Sequence, residues 1–97
     1  MPDFDYHLLD EIIHSRIRLA ILSILIGMDQ AEFRFLKDQV KATDGNLSIH
    51  LRKLEEAGYI TTTKSFLNRK PVSSYRMTPK GRQAFEKYVE RIQKLIR

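Results

Sequence analysis

Five side chains able to form hydrogen bonds or ion pairs with another molecule recur within residues 46–53, inside the stretch "TDGNLSIHLRKLEEAGYI". They are Asn46, Ser48, His50, Arg52 and Lys53. Amide, hydroxyl and guanidinium groups can read base edges in a nucleic-acid groove, whereas a lysine is better suited to phosphate. Gly45, just before them, would let another backbone come close. The alternative is the solvated face of an ordinary surface helix, which also carries polar residues.

The same stretch predicts the helix that would present these side chains. Leu47, Leu51 and Leu54 are spaced as one narrow apolar stripe, so the polar residues fall opposite or beside it. Thr43 and Asp44 are candidate N-caps, and Gly58 is a suitable end. The pattern therefore indicates a helix that packs by its leucines and leaves a polar face outward.

The neighbouring elements predict a mainly helical α+β fold. Two helices at about 7–14 and 16–27, separated by Ser15 as N-cap, precede a strand stub in "AEFRF" and a short helix in "FLKDQVKA". The short distance from this helix to the next makes the pair a helix-turn-helix. "YITTTKSFL" and "VSSYRMT" then predict a β-hairpin, and Pro79 starts a long last helix.

The charges are distributed unevenly along the chain. Residues 1–56 have a balance of −3 and residues 57–97 a balance of +8, giving the net charge of +5. No acidic residue lies between Ala57 and Phe85. Such a segment suggests a polyanionic partner, although a solubilising surface would look the same. Arg69 and Lys70, at the tip of the predicted hairpin, could enter a minor groove.

Three stretches resemble the winged helix-turn-helix transcription regulators, at the boundary of the ArsR-like and MarR-like groups. They are "IHSRIRLAILSIL", "FRFLKDQVKATDGNLSIHLRKLEEAGYI" and "KSFLNRKPVSSYRMTPKGRQAF", and the similarity covers about residues 8 to 88. The resemblance implies double-stranded DNA as partner, with Asn46, Ser48, His50, Arg52 and Lys53 at or near it and Arg69 and Lys70 as the wing tip. It also implies a transcriptional role, usually repression.

Metal binding and catalysis have little support in the sequence. The chain has no cysteine, unlike many metal sensors of the ArsR-like group. His7, Asp10, Glu11 and His14 would share roughly one face of the first helix and could hold a divalent ion. Interaction with the helix macrodipole explains them better, so no metal or cofactor is expected. No phosphate-binding loop or nucleophile motif is present, so we do not expect an enzyme.

Apolar stripes on the first and last helices predict a homodimer. The first stripe comprises Phe4, Leu8, Leu9, Ile12 and Ile13, and the last Phe85, Tyr88, Val89, Ile92, Leu95 and Ile96. The expected interface residues are Leu8, Ile12, Tyr88, Ile92, Leu95 and Ile96. Opposite charges agree with an antiparallel pairing, because Asp3, Asp5, Asp10 and Glu11 would face Lys87, Arg91, Lys94 and Arg97. A two-fold dimer predicts an inverted-repeat DNA site.

We therefore expect residues 1–97 to form one cytoplasmic domain that regulates transcription, most simply as a repressor. The longest apolar run, Leu19 to Met28, is too short to cross a bilayer. A small-molecule effector is left open and would have to bind at the dimer interface or between helices. The rival interpretation is a winged-helix module that binds protein, since this scaffold alone does not decide function.

Overall fold

The computed structural model describes residues 5–96 and confirms the expected mainly helical α+β architecture of a winged helix-turn-helix. A 3-10 helix at Tyr6–Leu8 precedes α1 (Arg16–Leu25), β1 (Ala31–Glu32), α2 (Phe33–Val40), α3 (Asp44–Glu56), β2 (Ile60–Leu67), β3 (Lys70–Met77) and α4 (Pro79–Leu95). Asp3, Phe4 and Arg97, which entered the predicted dimer, lie outside the described residues. In the part of the chain described, no helix combines the length and apolar character needed to cross a membrane.

The core forms around α1, which presents apolar residues on most of its surface. Ile21, Leu22 and Leu25 of this helix are fully buried, and Ser15 caps its start by accepting a hydrogen bond from the Arg18 N–H. Leucines from α2 and α3 and Ile60 from β2 pack in the same cluster. The helix-turn-helix therefore rests on α1 as its support.

The three strands form an antiparallel sheet in the order β1-β3-β2. The pairs of β2 and β3 run from Ile60 opposite Met77 to Leu67 opposite Lys70, and the two-residue β1 pairs only with Tyr75 and Ser74. The hairpin is long because β-branched and aromatic residues favour extended backbone. Its free end, residues 64–73, extends beyond the part that pairs with β1, and we call it the wing.

The first predicted helix, over residues 7–14, is wrong. Only a single 3-10 turn forms at Tyr6–Leu8, and Leu9 is extended. Asp10 accounts for the difference, because its carboxylate accepts hydrogen bonds from the backbone N–H groups of Ile12 and Ile13 at 2.8 and 3.2 Å. A side chain that competes in this way for backbone donors favours a turn over a helix. Residues 7–14 therefore pack against the core as an irregular segment, which we call the N-terminal strap.

Thr78 and Gly81 fasten the start of α4 to the end of α3. The Thr78 N–H donates to the Tyr59 carbonyl at 3.0 Å, and the Thr78 hydroxyl donates to the Gly58 carbonyl at 2.6 Å. The same hydroxyl caps α4 by accepting from the Gly81 N–H at 2.9 Å. A Cβ on Gly81 would lie 2.1 Å from the Tyr59 carbonyl oxygen, so this close contact requires glycine. We call this contact the α3–α4 joint.

Candidate nucleic-acid interface

The orientation of α3 is set by its cap and its leucines. The Thr43 hydroxyl accepts a hydrogen bond from the Asn46 N–H at 3.2 Å, which confirms Thr43 as the N-cap. Asp44 pairs with Lys37 of α2 at 2.8 Å, where its charge also suits the helix dipole. Leu47, Leu51 and Leu54 are buried, as expected from their spacing. The opposite side of α3 is therefore turned outward.

Most of the polar residues predicted to contact DNA lie together on this outward side. Gly45, Asn46, Ser48, Arg52 and Lys53 are all exposed. Ile49 lies among them with 52% of its surface exposed. The surface is thus a row of hydrogen-bonding groups around one apolar side chain, which suits base edges and the thymine methyl group.

His50 differs from the rest of this set, because it is half-buried against α1. The Arg18 guanidinium donates to its Nδ1 at 2.8 Å, and Arg18 also donates to the Ile12 carbonyl. Since a guanidinium only donates, the imidazole is neutral and carries its proton on Nε2. Burial, then the charges of Arg18 and Lys53, lower the pKa of His50. His50 ties α3 to its support, and its contact with DNA stays a prediction.

Gly45 has no packing reason to be glycine. A Cβ built there has no atom within 4 Å, and the residue is exposed in the first turn of α3. Glycine in a helix is less favourable than alanine by about 0.5–1 kcal/mol, so the fold gains nothing from it. The open space in front of the backbone would admit another molecule closely.

Arg69 and Lys70 lie at the free end of the wing, as predicted, and both are exposed. Asn68 and Arg69 form the two-residue turn with φ values of 52° and 66°, and Lys70 is the first residue of β3. Both positive φ values indicate a type I′ turn, which favours glycine at its second position. An arginine at this position costs some backbone strain, which suggests that its side chain has a role outside the fold.

Two apolar residues beside this turn were not singled out from the sequence. Phe66 and Leu67 end β2 and are both largely exposed. The alternation of side chains along β2 could have identified Phe66. It falls on the same side as buried Ile60 but lies beyond the core.

Comparison with known proteins agrees with this geometry. The family model of the winged helix DNA-binding domain matches residues 17–96, which include α3 and the wing. The chain belongs to this family. An uncharacterized protein of Methanocaldococcus jannaschii is 41% identical to this winged helix domain over 85 residues, which cover 88% of this chain and 92% of that protein.

Two solved structures show the same fold as this winged helix domain. One is a transcriptional regulator homologue from Pyrococcus horikoshii OT3, with a TM-score of 0.83 and 26% identity; the match covers 90% of this chain and 86% of that one. The other is a MarR-family transcriptional regulator from Silicibacter pomeroyi, with a TM-score of 0.68 and 20% identity; it covers 84% of this chain and 54% of that one. The expected resemblance to winged helix regulators, including the MarR family, is confirmed.

The four candidate metal ligands of the winged helix domain do not share a helical face. The Asp10 carboxylate caps its turn and also accepts a hydrogen bond from the Tyr59 hydroxyl, while His14 Nδ1 lies 2.7 Å from the Tyr88 hydroxyl. Burial, then the Asp10 carboxylate, raises the pKa of Tyr59 to about 12, so the phenol stays a donor. Across residues 5–96, no three His, Asp or Glu side chains are grouped so that they could hold a metal ion.

The residues of the predicted dimer interface fall into two groups. Tyr88 is only 5% exposed, and Ile12 and Ile92 are half-buried against the core of their own chain. The N-terminal strap covers part of α4, since Arg91 donates to the Leu8 carbonyl at 2.5 Å. Leu8, Leu95 and Ile96 remain exposed and are the part of the set that another molecule could cover.

Proposed function

We propose that this chain is a sequence-specific regulator of transcription that binds double-stranded DNA. The observation that carries the proposal is the exposed polar face of α3 beside a wing without acidic residues. α3 is 13 residues long and exposed on one side, so it can lie in a major groove. The wing then extends toward the neighbouring minor groove.

Each exposed group on α3 has a distinct role in this arrangement. Asn46, Ser48 and Arg52 contact base edges, because their side chains combine donors and acceptors or a bidentate fork. Lys53 neutralises a phosphate, and Gly45 allows the start of the helix to approach the DNA backbone. Arg69 and Lys70 contact phosphates at the minor groove, where negative potential is concentrated.

The regulator acts as a homodimer on an inverted repeat, and its simplest action is repression. Leu8, Leu95 and Ile96 supply exposed apolar surface for the second copy. Two-fold symmetry would place two copies of α3 about one DNA turn, or a multiple of it, apart. A bound dimer would block other proteins from the same DNA.

A small-molecule effector would bind in the cleft between the N-terminal strap and α4. This cleft has a volume of about 280 Å³ and is bordered by Leu8, Tyr59, Lys87 and Arg91. Because the cleft includes Tyr59 of the α3–α4 joint, a ligand there could change the position of α3.

Selection of bound sequences from a random pool of double-stranded DNA tests the proposal. The expected result is a conserved motif made of two inverted half-sites. Recovery of no motif, together with affinity that does not depend on sequence, would favour the rival protein-binding module. Selected motifs without dyad symmetry would contradict only the homodimer.

A further inference from the structure

Phe66 is a large apolar side chain that the proposed DNA contacts do not use. It lies next to the end of the wing, and 78% of its surface is exposed. An aromatic residue that buries so little of itself contributes little to folding. Packing within the fold therefore does not explain why a phenylalanine lies at this position.

Strand register places Phe66 on the side of the sheet that faces the core and α3. Side chains alternate along a strand, so Phe66 lies on the same face as Ile60 and Thr62, with Pro71 opposite it on β3. Ile60 is buried in the core, and Phe66 lies beyond the edge of that core. Leu67, the next residue along β2, points to the other face of the hairpin.

The distance along the wing matches the spacing of DNA grooves. Phe66 lies six positions after Ile60, which is roughly 20 Å of extended strand. One turn of DNA is about 34 Å, so adjacent major and minor grooves are about half of that apart. With α3 in a major groove, the wing can therefore bring Phe66 to the next minor groove.

The surrounding charge favours a partner with anionic rims and an apolar surface between them. Lys64, Arg69 and Lys70 lie on the same hairpin, and no acidic residue occurs from Ala57 to Phe85. A minor groove has this chemistry, because phosphates border walls made of deoxyribose. Proteins that bind there often insert apolar side chains.

We propose that Phe66 packs against the deoxyribose walls of the minor groove while Arg69 and Lys70 hold the phosphates on either side. This inference rests on the proposed function and adds a contact to the same interface. Because the contact is apolar, it adds affinity that does not depend on salt. Arg69 and Lys70 supply the salt-dependent part of the affinity, through release of counterions.

Replacing Phe66 by alanine in the full chain tests this contact on the selected DNA site. We expect affinity to fall at least about fivefold, by analogy with the loss of an aromatic contact to a base. The slope of log affinity against log salt should not change, since no ionic contact is removed. Leu67→Ala is the matched control, because it removes a similar apolar group at the same end of the hairpin but on the other face.

Cleavage of the bound DNA by hydroxyl radicals locates the contact, since these radicals attack deoxyribose from the minor groove. The unmodified protein should protect sugars about half a turn from the α3 contacts, and Phe66→Ala should leave them open. Equal affinity of Phe66→Ala and Leu67→Ala, or unchanged sugar protection in Phe66→Ala, would overturn the inference. So would a loss of binding to anionic lipid vesicles in Phe66→Ala with DNA binding intact.

The same experiments separate this inference from the proposed function. If Arg52→Ala weakens binding to the selected site while Phe66→Ala does not, DNA recognition by α3 stands and the Phe66 contact is wrong. If the unmodified protein selects no DNA sequence, both are wrong.

Discussion

Gly45 and Gly81 are both helical glycines, but a methyl group added to each would meet different surroundings. At Gly81 it would collide with the Tyr59 backbone, whereas at Gly45 it would meet no atom within 4 Å. The fold therefore explains the first glycine and not the second. The reason for a glycine at position 45 must therefore lie in what the outward surface of α3 contacts.

Gly45→Ala should stabilise the protein and weaken its binding to DNA. Alanine is favoured over glycine in helices, so the free energy of unfolding should rise by about 0.5–1 kcal/mol. The added methyl group would keep the DNA backbone from approaching the start of α3. Urea unfolding and a DNA titration measure the two effects. Unchanged DNA affinity would contradict the close approach.

Arg52→Ala should weaken binding to the selected site by about 1–3 kcal/mol and relax the preference at one base pair. The fold should be unaffected, because Arg52 is exposed on α3. Titration with the selected site and with random DNA checks the result. Lys53→Ala is the control, and as a phosphate contact it should weaken both DNAs alike. The same pattern in Arg52→Ala would make Arg52 a phosphate contact too.

Single residues on α3 were predictable where the helical period alone decides their position. Leu47, Leu51 and Leu54 define the buried side, so Asn46, Ser48 and Arg52 follow as exposed. His50 was not predictable in this way. Its position depends on Arg18, a residue 32 positions away, and a contact of that range leaves no local pattern.

At the scale of elements, local sequence patterns predict the helix-turn-helix and the hairpin but not the N-terminal strap. Thr43, Gly58 and Pro79 act through their own or adjacent backbone, so the bounds of α3 and the start of α4 could be predicted. The strap has helical spacing of apolar residues, but Asp10 holds it in a turn and Tyr59 binds that carboxylate from a distant part of the chain. The α3–α4 joint is missed for the same reason.

The two basic residues of the wing should contribute measurably to the salt dependence of DNA affinity. Replacing Arg69 and Lys70 by alanine should reduce the slope of log affinity against log salt by about 2, because each loses close to one counterion release. The melting temperature should barely change, since both side chains are exposed. Titrations over a range of salt concentrations measure the slope.

Arg16→Ala with Arg82→Ala is the control for the wing, because it removes the same charge from exposed positions on α1 and α4 that belong to neither proposed interface. Its salt slope should stay that of the unmodified protein. An equal change in both double variants would mean that net charge, not the wing, determines the slope.

Gly81→Ala should break the α3–α4 joint. The new Cβ must displace the Tyr59 carbonyl, and overpacking against backbone costs about 3 kcal/mol. Urea unfolding should show this loss, with Gly45→Ala as a control that adds the same methyl group to a helix. A midpoint equal to that of the unmodified protein would show that α4 is not held by this contact.

At the scale of the whole molecule, dimerisation should depend on the exposed end of α4. Leu95→Glu with Ile96→Glu should give a folded monomer, because 77% of Ile96 is exposed and neither residue belongs to the core. Affinity for the selected DNA site should fall by roughly 100-fold or more, because only one copy of α3 would then bind at a time. Sedimentation and DNA titration measure both effects.

Met28→Glu is the control for this dimer interface, since Met28 is an exposed apolar residue in the turn after α1 and belongs to neither predicted apolar stripe. It should leave the dimer intact. An unmodified protein that sediments as a monomer at micromolar concentration would contradict the proposed assembly.

The α3–α4 joint would let α4 act as a lever that pivots at the end of α3. α4 has 17 residues, so its free end lies about 25 Å from Thr78. A shift of about 4 Å at that end would tilt α4 by about 10°, given this rise per residue. Hydrogen bonds from Thr78 to Gly58 and Tyr59 would pass the tilt on to α3. The angle at which two copies meet would then set the half-site spacing they accept, so a remote change could release DNA without touching it.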